Sequence, residues 1–314
     1  MKYSGVGGQA VMEGIMMRNQ DKYAVSVRKP DKEIETKVFD YNGPVKNKSI
    51  KNVPIIRGVV NFVDSLYLGM NTLMYSASFF EDEDDKKIDT TGMSEEEKQA
   101  LKEKAKKEDD AMMGGTVVVS ILLAVGIFFV LPYLISSFIQ NFIDINWVIA
   151  LIEGVIRLGI FVGYICLISL MPDIKRTFMY HGAEHKCINC IEAGLELNVE
   201  NVRKSSKQHK RCGTSFLLIV MLISVIFFMF IQVESGILKL VLRLLLIPVI
   251  AGVSYEFIRL AGRYDNWLVN CLSVPGLLMQ KLTTKEPDDD MIEVGIASVE
   301  AVFDWRKWQE EELG

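Results

Sequence analysis

The start of the chain carries short strand-like segments bounded by turn signals. Ala10–Arg18 and Tyr23–Arg28 read as strands, and Pro30-Asp31-Lys32 reads as a turn. Glu33–Phe39 sets Ile34, Thr36 and Val38 against Glu33, Glu35 and Lys37. The pattern predicts a small antiparallel sheet within residues 1–53. Upstream, Gly5-Val6-Gly7-Gly8 lacks the Lys-Ser/Thr and the helix start of a phosphate-cradling loop, and reads as a flexible entry into the first strand. From Pro54 to Phe80 the period becomes helical, with Ile55, Val59, Phe62, Val63, Leu66, Met70 and Leu73 recurring. Arg57, Asn61 and Asp64 interrupt it. Residues 54–80 are therefore read as an amphipathic helix, lying at a membrane interface or packed on other helices, and not as a span.

Residues 81–112 hold a dense charge run and read as a solvated linker, in which Ser94-Glu95-Glu96-Glu97 resembles a helix start. Four membrane-length apolar runs follow: Met113–Ile139, Val148–Met171, Thr214–Val233 and Ile237–Leu260. The last carries Lys239 and Arg243 near its start and Pro248 inside. Lysine and arginine are absent from the links Gln140–Trp147 and Glu234–Gly236. They crowd the link 172–213, as Lys175, Arg176, Lys186, Arg203, Lys204, Lys207, Lys210 and Arg211, and both ends of the chain. By the positive-inside rule the N- and C-termini and the loop 172–213 are cytoplasmic.

The expected fold class is thus mainly α: a four-span polytopic helical membrane protein, residues 113–263, with a small cytoplasmic α+β module built on the N-terminal antiparallel sheet. Residues 264–314 hold a partly apolar piece, Trp267–Leu282, and a final helix, Met291–Glu312, that is expected to pack on the N-terminal module.

Composition sharpens this picture. Half of the residues are apolar and the mean hydropathy is +0.22 although 24% are charged, so the two characters must be segregated. A net charge of −5 with scattered basic residues carries no nucleic-acid signature. Cys166, Cys187, Cys190, Cys212 and Cys271 form no disulfide framework. Met1–Gly8 has no apolar signal core, so the amino terminus is expected to stay in the reducing cytoplasm.

All three histidines fall between His181 and His209. His181-Gly182-Ala183-Glu184-His185 reads H-x-x-E-H. On a helix running Phe178–Glu192, with Gly194 as its stop, His181 and His185 share a face and can close on one divalent ion. Glu184 lies beside that face without having to bind, as a general base must. Gly182 weakens the helix by about 1 kcal/mol relative to alanine. His209 and Cys212 are the candidate third and fourth ligands, and Glu192, some 10 Å along the helix from His185, suits an outer role. Cys187-x-x-Cys190 has metal or redox spacing, but without a second pair it reads as small helix residues.

Three readings stay open for the histidines. One is a catalytic zinc, or another divalent transition metal, with one position left to water. Another is a closed structural zinc. The third is histidines that only hydrogen-bond backbone or head groups. Glu153 and Arg157, i and i+4 inside the second apolar run, read as an intramembrane ion pair or as part of a proton or ion pathway. Glu256, Arg259, Arg263 and Asp265 cluster at the inner end of the fourth run, within reach of the loop or as interfacial anchors.

Four segments carry a resemblance: Gly7–Arg18 (GGQAVMEGIMMR), Tyr180–Lys186 (YHGAEHK), His209-x-Arg211-Cys212-Gly213-Thr214-Ser215-Phe216, and Thr283–Asp289 (TTKEPDD). Together, in this order, they resemble the YqhQ-like family of bacterial membrane proteins, a domain of unknown function described broadly as predicted metal-dependent enzymes. The resemblance spans nearly the whole chain except the acidic linker. It implies His181, Glu184, His185, Glu192, His209, Arg211 and Cys212 as site positions, with Glu13 and Arg18 contributing from the sheet. Cys187 and Cys190 belong to none of these segments.

The expected function is metal-dependent hydrolysis of a peptide or lipid-linked substrate at the cytoplasmic membrane face. His181, His185 and His209 would hold zinc, Glu184 would be the base, and Arg211 would stabilise the oxyanion. The rivals are a non-enzymatic assembly or scaffold protein with a structural zinc, and a transporter or channel subunit centred on Glu153 and Arg157. The partners expected are membrane lipid and either further copies of the chain or another membrane protein, and no nucleic acid.

Overall fold

A computed structural model describes residues 2–41, 43, 53–80, 111–112, 114–143, 145–231, 233, 235–263 and 267–313. The charge run at 81–110 and Asp265 lie outside the described residues. The chain forms two compact units, Met1–Phe80 with Val162–Gly314, and Glu81–Phe161.

In the first unit β1 (Gly7–Val11), β2 (Gly14–Asn19), β3 (Lys22–Arg28) and β4 (Ile34–Asp40) form an antiparallel sheet in the order β1-β2-β3-β4. The run Ala10–Arg18, expected as one strand, is a hairpin. Val11 pairs with Gly14, and the chain reverses through Met12 and Glu13, the latter at φ 47°. Gly14 is required there, because a Cβ would lie 2.4 Å from the carbonyl oxygen of Ser26.

Both faces of β2 are buried. Ile15 and Met17 enter a core with Tyr180, Ala183, Cys187 and Ile292. On the opposite face Met16 packs with Val11, Val25, Val27 and Leu68. Each such side chain stabilises by about 1.5–3 kcal/mol when fully buried. The first core is supplied by α4 (Pro172–Glu192) and α9 (Asp289–Glu300), the second by α1 (Ile56–Ala77). The helix expected over Met291–Glu312 is two helices, α9 and α10 (Trp305–Leu313). Asp304 starts the second by accepting the Lys307 N–H at 3.1 Å.

The remaining helices of this unit are α5 (Val199–Lys204), α6 (Gly213–Met229), α7 (Gly236–Arg263) and α8 (Trp267–Thr283). α1 crosses α7 so closely that a Cβ on Gly58 would sit 2.8 Å from the Gly252 Cα. The crossing is locked by Arg57, which pairs with Glu256, and by Asn61 Nδ2, which donates to Tyr255 Oη at 2.8 Å.

The second unit is a helical hairpin of α2 (Gly114–Ile139) and the first part of α3 (Asn146–Ile168). α2 widens into a π turn at Gly126–Val130, just before Pro132. Proline has no N–H to offer the carbonyl four residues back. That carbonyl, of Phe128, accepts from Arg157 Nε at 2.9 Å. Arg157 Nη2 also donates to Glu153 at 2.6 Å, and Ser136 Oγ donates to the second Glu153 oxygen at 3.2 Å. The pair is 2% and 1% exposed and works as a staple between the two helices.

Among the described residues, three helices are long and apolar enough to cross a membrane: Gly114–Ile139, Asn146–Ile168 and Gly236–Leu260. The fourth expected run, Thr214–Val233, is not a helix over its full length. α6 has 17 residues and ends at Met229. At 1.5 Å per residue it is about 26 Å long, below the roughly 30 Å of a hydrocarbon core.

Candidate metal centre

α4 opens with Pro172 at its first turn and stops at Gly194, which adopts φ 75°. His181 and His185 therefore lie one turn apart on one face, their ring centroids 4.4 Å apart. Each ring is held by a backbone carbonyl. His181 Nδ1 bonds the Thr283 oxygen at 2.9 Å, and His185 Nδ1 bonds the Lys207 oxygen at 2.7 Å. A carbonyl can only accept, so each Nδ1 carries the proton and each Nε2 presents a lone pair. Carbonyl anchoring of the remote nitrogen is the usual support of a metal-binding imidazole.

Cys212 Sγ lies 3.2 Å from His181 Nε2. Cys212 is the N-cap residue of α6, whose positive end favours an anionic ligand. One donor atom each from His181, His185 and Cys212 falls within 4.8 Å of the others. This set of two imidazoles and one thiol could hold a single metal ion. Glu184 Oε2 stands 3.8 Å from both Nε2 atoms. Burial pushes the Glu184 carboxyl up to about 7, against the opposing pull of His181 and the Gly8 N–H.

Three backbone segments close this site over α4. Gly8 of β1 lies on Glu184, where a Cβ would come within 2.7 Å of its Cγ. The segment after α8 crosses at Gly182, where a Cβ would meet the Lys285 oxygen at 2.1 Å, and Lys285 N–H donates to the Phe178 carbonyl at 2.9 Å. The third segment is the loop 203–208. Lys186 Nζ donates to the carbonyls of Arg203 and Ser205, and Asn189 Nδ2 to those of Ser206 and Gln208. With His185 on the Lys207 carbonyl, the loop's backbone acceptors are turned inward. Gly8, Thr283, Lys186, Asn189 and Lys207 were not among the expected site positions, although Gly8, Lys186 and Thr283 lie in the segments that carry the resemblance.

The other expected positions form separate groups. His209 lies outside the tight cluster, its ring centroid 5.7 Å from that of His185. Gln280, buried, holds its backbone at both ends, with His209 N–H donating to Oε1 at 2.8 Å and Nε2 donating to the His209 carbonyl at 2.6 Å. The His209 ring meets Arg211 Nη2 at 3.1 Å and Glu192 at 3.7 Å. Burial, more than any other influence, lowers the His209 pKa.

Arg211 pairs with Glu192 and lies 3.8 Å from the centroid of the Tyr3 ring. Its guanidinium is thereby engaged away from the three ligand atoms. Glu192 accepts from Ser4 N–H and Oγ at 3.0 and 2.8 Å. Burial alone would raise the Glu192 pKa, but His209, Arg211 and the Ser4 N–H outweigh it and hold it at about 2.

Glu13 sits in the hairpin turn, bonds Arg176 at 2.5 and 2.6 Å and accepts from Tyr180 Oη at 3.2 Å, so it latches the sheet to α4. Arg18 stacks on Tyr41 at 3.7 Å and donates to the Gln20 carbonyl, making no contact with the histidines. Cys187 and Cys190 are buried packing residues, and burial raises both thiols. Glu256 is taken by Arg57 at the α1–α7 crossing.

Residues 53–305 match the family described as "Protein of unknown function (DUF1385)". The chain belongs to this family. The chain is also 32% identical over 293 residues to "Uncharacterized protein YqhQ" of Bacillus subtilis (strain 168), covering 93% of this chain and 90% of that protein. No solved structure matches. The family match takes in α4, Cys212 and Thr283, while Ser4 and Gly8 lie before it.

Proposed function

We propose that His181, His185 and Cys212 hold one divalent transition metal, and that this DUF1385 protein is a membrane-embedded, metal-dependent hydrolase. The observation that carries the reading is the pair of carbonyl anchors on the two Nδ1 atoms, which leaves both Nε2 lone pairs beside the Cys212 sulfur. Two imidazoles and a thiolate suit zinc. Bound there, zinc would supply Lewis-acid polarisation and a water acidified toward pKa 7 or so. Glu184 stands beside both imidazoles and is poised near neutrality, so it can take and return a proton at working pH. Arg211, given its bonds to Glu192 and His209, is assigned to holding the segment 209–212 in place and not to the oxyanion.

The substrate class favoured by location is a peptide or a lipid-linked molecule at the cytoplasmic face. α2, α3 and α7 are read as membrane crossings, with α6 as a short fourth crossing. The lysines and arginines of 172–213 and of both chain ends are read as cytoplasmic.

A second reading has its own support. His185 and Glu184 are only 2% and 6% exposed, as suits a closed structural zinc in a scaffold protein. Glu184→Gln separates the two. The hydrolase reading expects metal bound one per chain, by elemental analysis of the purified protein, and failure to complement a deletion strain. Complementation by that variant would leave only the scaffold. Loss of metal from the parent on chelation, and its absence from His181→Ala, test the site itself.

A further inference from the structure

We propose that the cleft between the loop 206–208 and the end of α8 binds the head group of an anionic phospholipid. The cleft has about 440 Å³ of room and is lined by Ser206, Lys207, Gln208 and Lys281. Its lining is cationic, with Lys207 and Lys281 and no acidic residue. Elsewhere between residues 203 and 211, Arg203 pairs with Asp289, Lys204 with Glu200 and Arg211 with Glu192. Glu286 is the carboxylate that approaches Lys207, at 3.2 Å, and it also pairs with Lys186 at 2.6 Å. One carboxylate thus answers two lysines there, and Lys281 adds a third cation.

The backbone supports the same ligand. The carbonyls of Arg203, Ser205, Ser206, Lys207 and Gln208 are all bonded to Lys186, Asn189 or His185 of α4. Oxygens that would repel an anion are thereby turned away from the cleft, and the side chains of Lys207 and Lys281 are left to wall it.

α8 explains why a lipid, and not a free anion, is the fitting ligand. Trp267, Cys271, Val274, Leu278 and Lys281 are spaced i, i+4, i+7, i+11, i+14, and all are exposed. They form one stripe that is apolar until it reaches the cleft, where it ends in a cation. Ser273, Gly276 and Gln280 lie on the opposite, buried face, with Gln280 on His209 and Gly276 against Ser215. From Lys281 back to Cys271 is about 15 Å of helix at 1.5 Å per residue. That is half of a roughly 30 Å hydrocarbon core, so acyl chains can lie along the stripe while the phosphate sits between the lysines. Lys207 links the cleft to the candidate metal centre, since its carbonyl holds His185.

The inference rests on the membrane reading and not on the metal. It is tested with the full chain in nonionic detergent, by native mass spectrometry titrations with dihexanoyl phosphatidylglycerol, dihexanoyl phosphatidylcholine and inorganic phosphate. Phosphatidylglycerol should bind one per chain, with the other two at least roughly tenfold weaker. Lys207→Gln and Lys281→Gln should each weaken it roughly tenfold, as expected for loss of a charge-assisted contact. Lys204→Gln, an exposed lysine that pairs with Glu200 outside the cleft, should leave it unchanged. Equal binding of phosphatidylcholine, equal binding of phosphate alone, or full affinity in both lysine variants would overturn the proposal. Recovery of the chain in the membrane fraction, and its metal content, are read on the same preparations and report separately on the hydrolase reading.

Discussion

Glu184 and Glu192 lie on the same helix and are both buried, yet their environments push them in opposite directions. Glu184 has two imidazoles and the Gly8 N–H for company, and burial dominates. Glu192 meets the His209 ring, the Arg211 guanidinium and the Ser4 N–H, and these prevail. In the metal-stripped chain the two should give stability opposite slopes with pH. The unfolded Glu184 releases its proton near 4.5 and the folded one near about 7, so its contribution becomes unfavourable as pH rises through that window. Glu184→Gln should therefore raise the melting temperature at pH 8, by at most about 3 kcal/mol of stability, and change it little at pH 4. Glu192 is held at about 2, so its stabilisation is complete above 4.5 and lost as pH falls toward 2. Glu192→Gln should lower the melting temperature at pH 7, with the deficit shrinking below pH 4. A melting series across pH checks both, and parallel curves for parent and variants would contradict them.

At the level of elements, the candidate site was partly legible in the chain. The H-x-x-E-H spacing and the Gly194 stop place two imidazoles and a carboxylate on one helix, and Cys212 was within the expected ligand set. The carbonyls of Thr283 and Lys207 were not legible, since every residue type carries one and no side-chain signature marks it. His209 falls outside the three-residue cluster, since chain proximity to Cys212 says nothing of ring direction, which Gln280, Glu192 and Arg211 decide. The hairpin inside Ala10–Arg18 was hidden because Met12-Glu13 is not a common turn pair, and only Gly14 hinted at it.

Gly182 reads differently at the two levels. By helix propensity, Gly182→Ala should stabilise α4 by about 1 kcal/mol. Its Cβ, however, would be driven into the Lys285 carbonyl at 2.1 Å, and that strap is backbone. Net destabilisation of about 1–3 kcal/mol is expected, typical of overpacking, together with weakened metal retention as the Thr283 anchor shifts. Denaturation of the purified variant decides the sign.

The α2–α3 hairpin obeys the same distinction between pair and partner. Removing only the cation, in Arg157→Leu, leaves Glu153 buried beside Ser136 and should cost about 3–5 kcal/mol. Glu153→Gln/Arg157→Leu together should recover most of it. A transport role would instead leave the double variant folded but inactive.

For the molecule as a whole, the packing of the sheet constrains the number of crossings more tightly than hydropathy does. β2 is buried between α4 and α9 on one face and against Leu68 of α1 on the other. The N-terminal sheet, the histidine helix and the chain's last helices therefore lie on one side of any membrane. Between α4 and α9 the chain passes through α6 and α7, so these two either both cross or both stay. α7 contains 25 residues long and apolar enough to span. If it crosses, α6 must cross as well, although it is several ångströms shorter than the usual core. A helix that short is accommodated by local thinning of the bilayer and by flanking residues that reach the interface. Reporter fusions separate this from a three-crossing chain. Green fluorescent protein at the C-terminus should fluoresce, and alkaline phosphatase should be active after Asn141 and after Ile231 but inactive at the C-terminus. An active phosphatase at the C-terminus would mean that α7 crosses without α6, which the sheet packed between α4 and α9 does not allow.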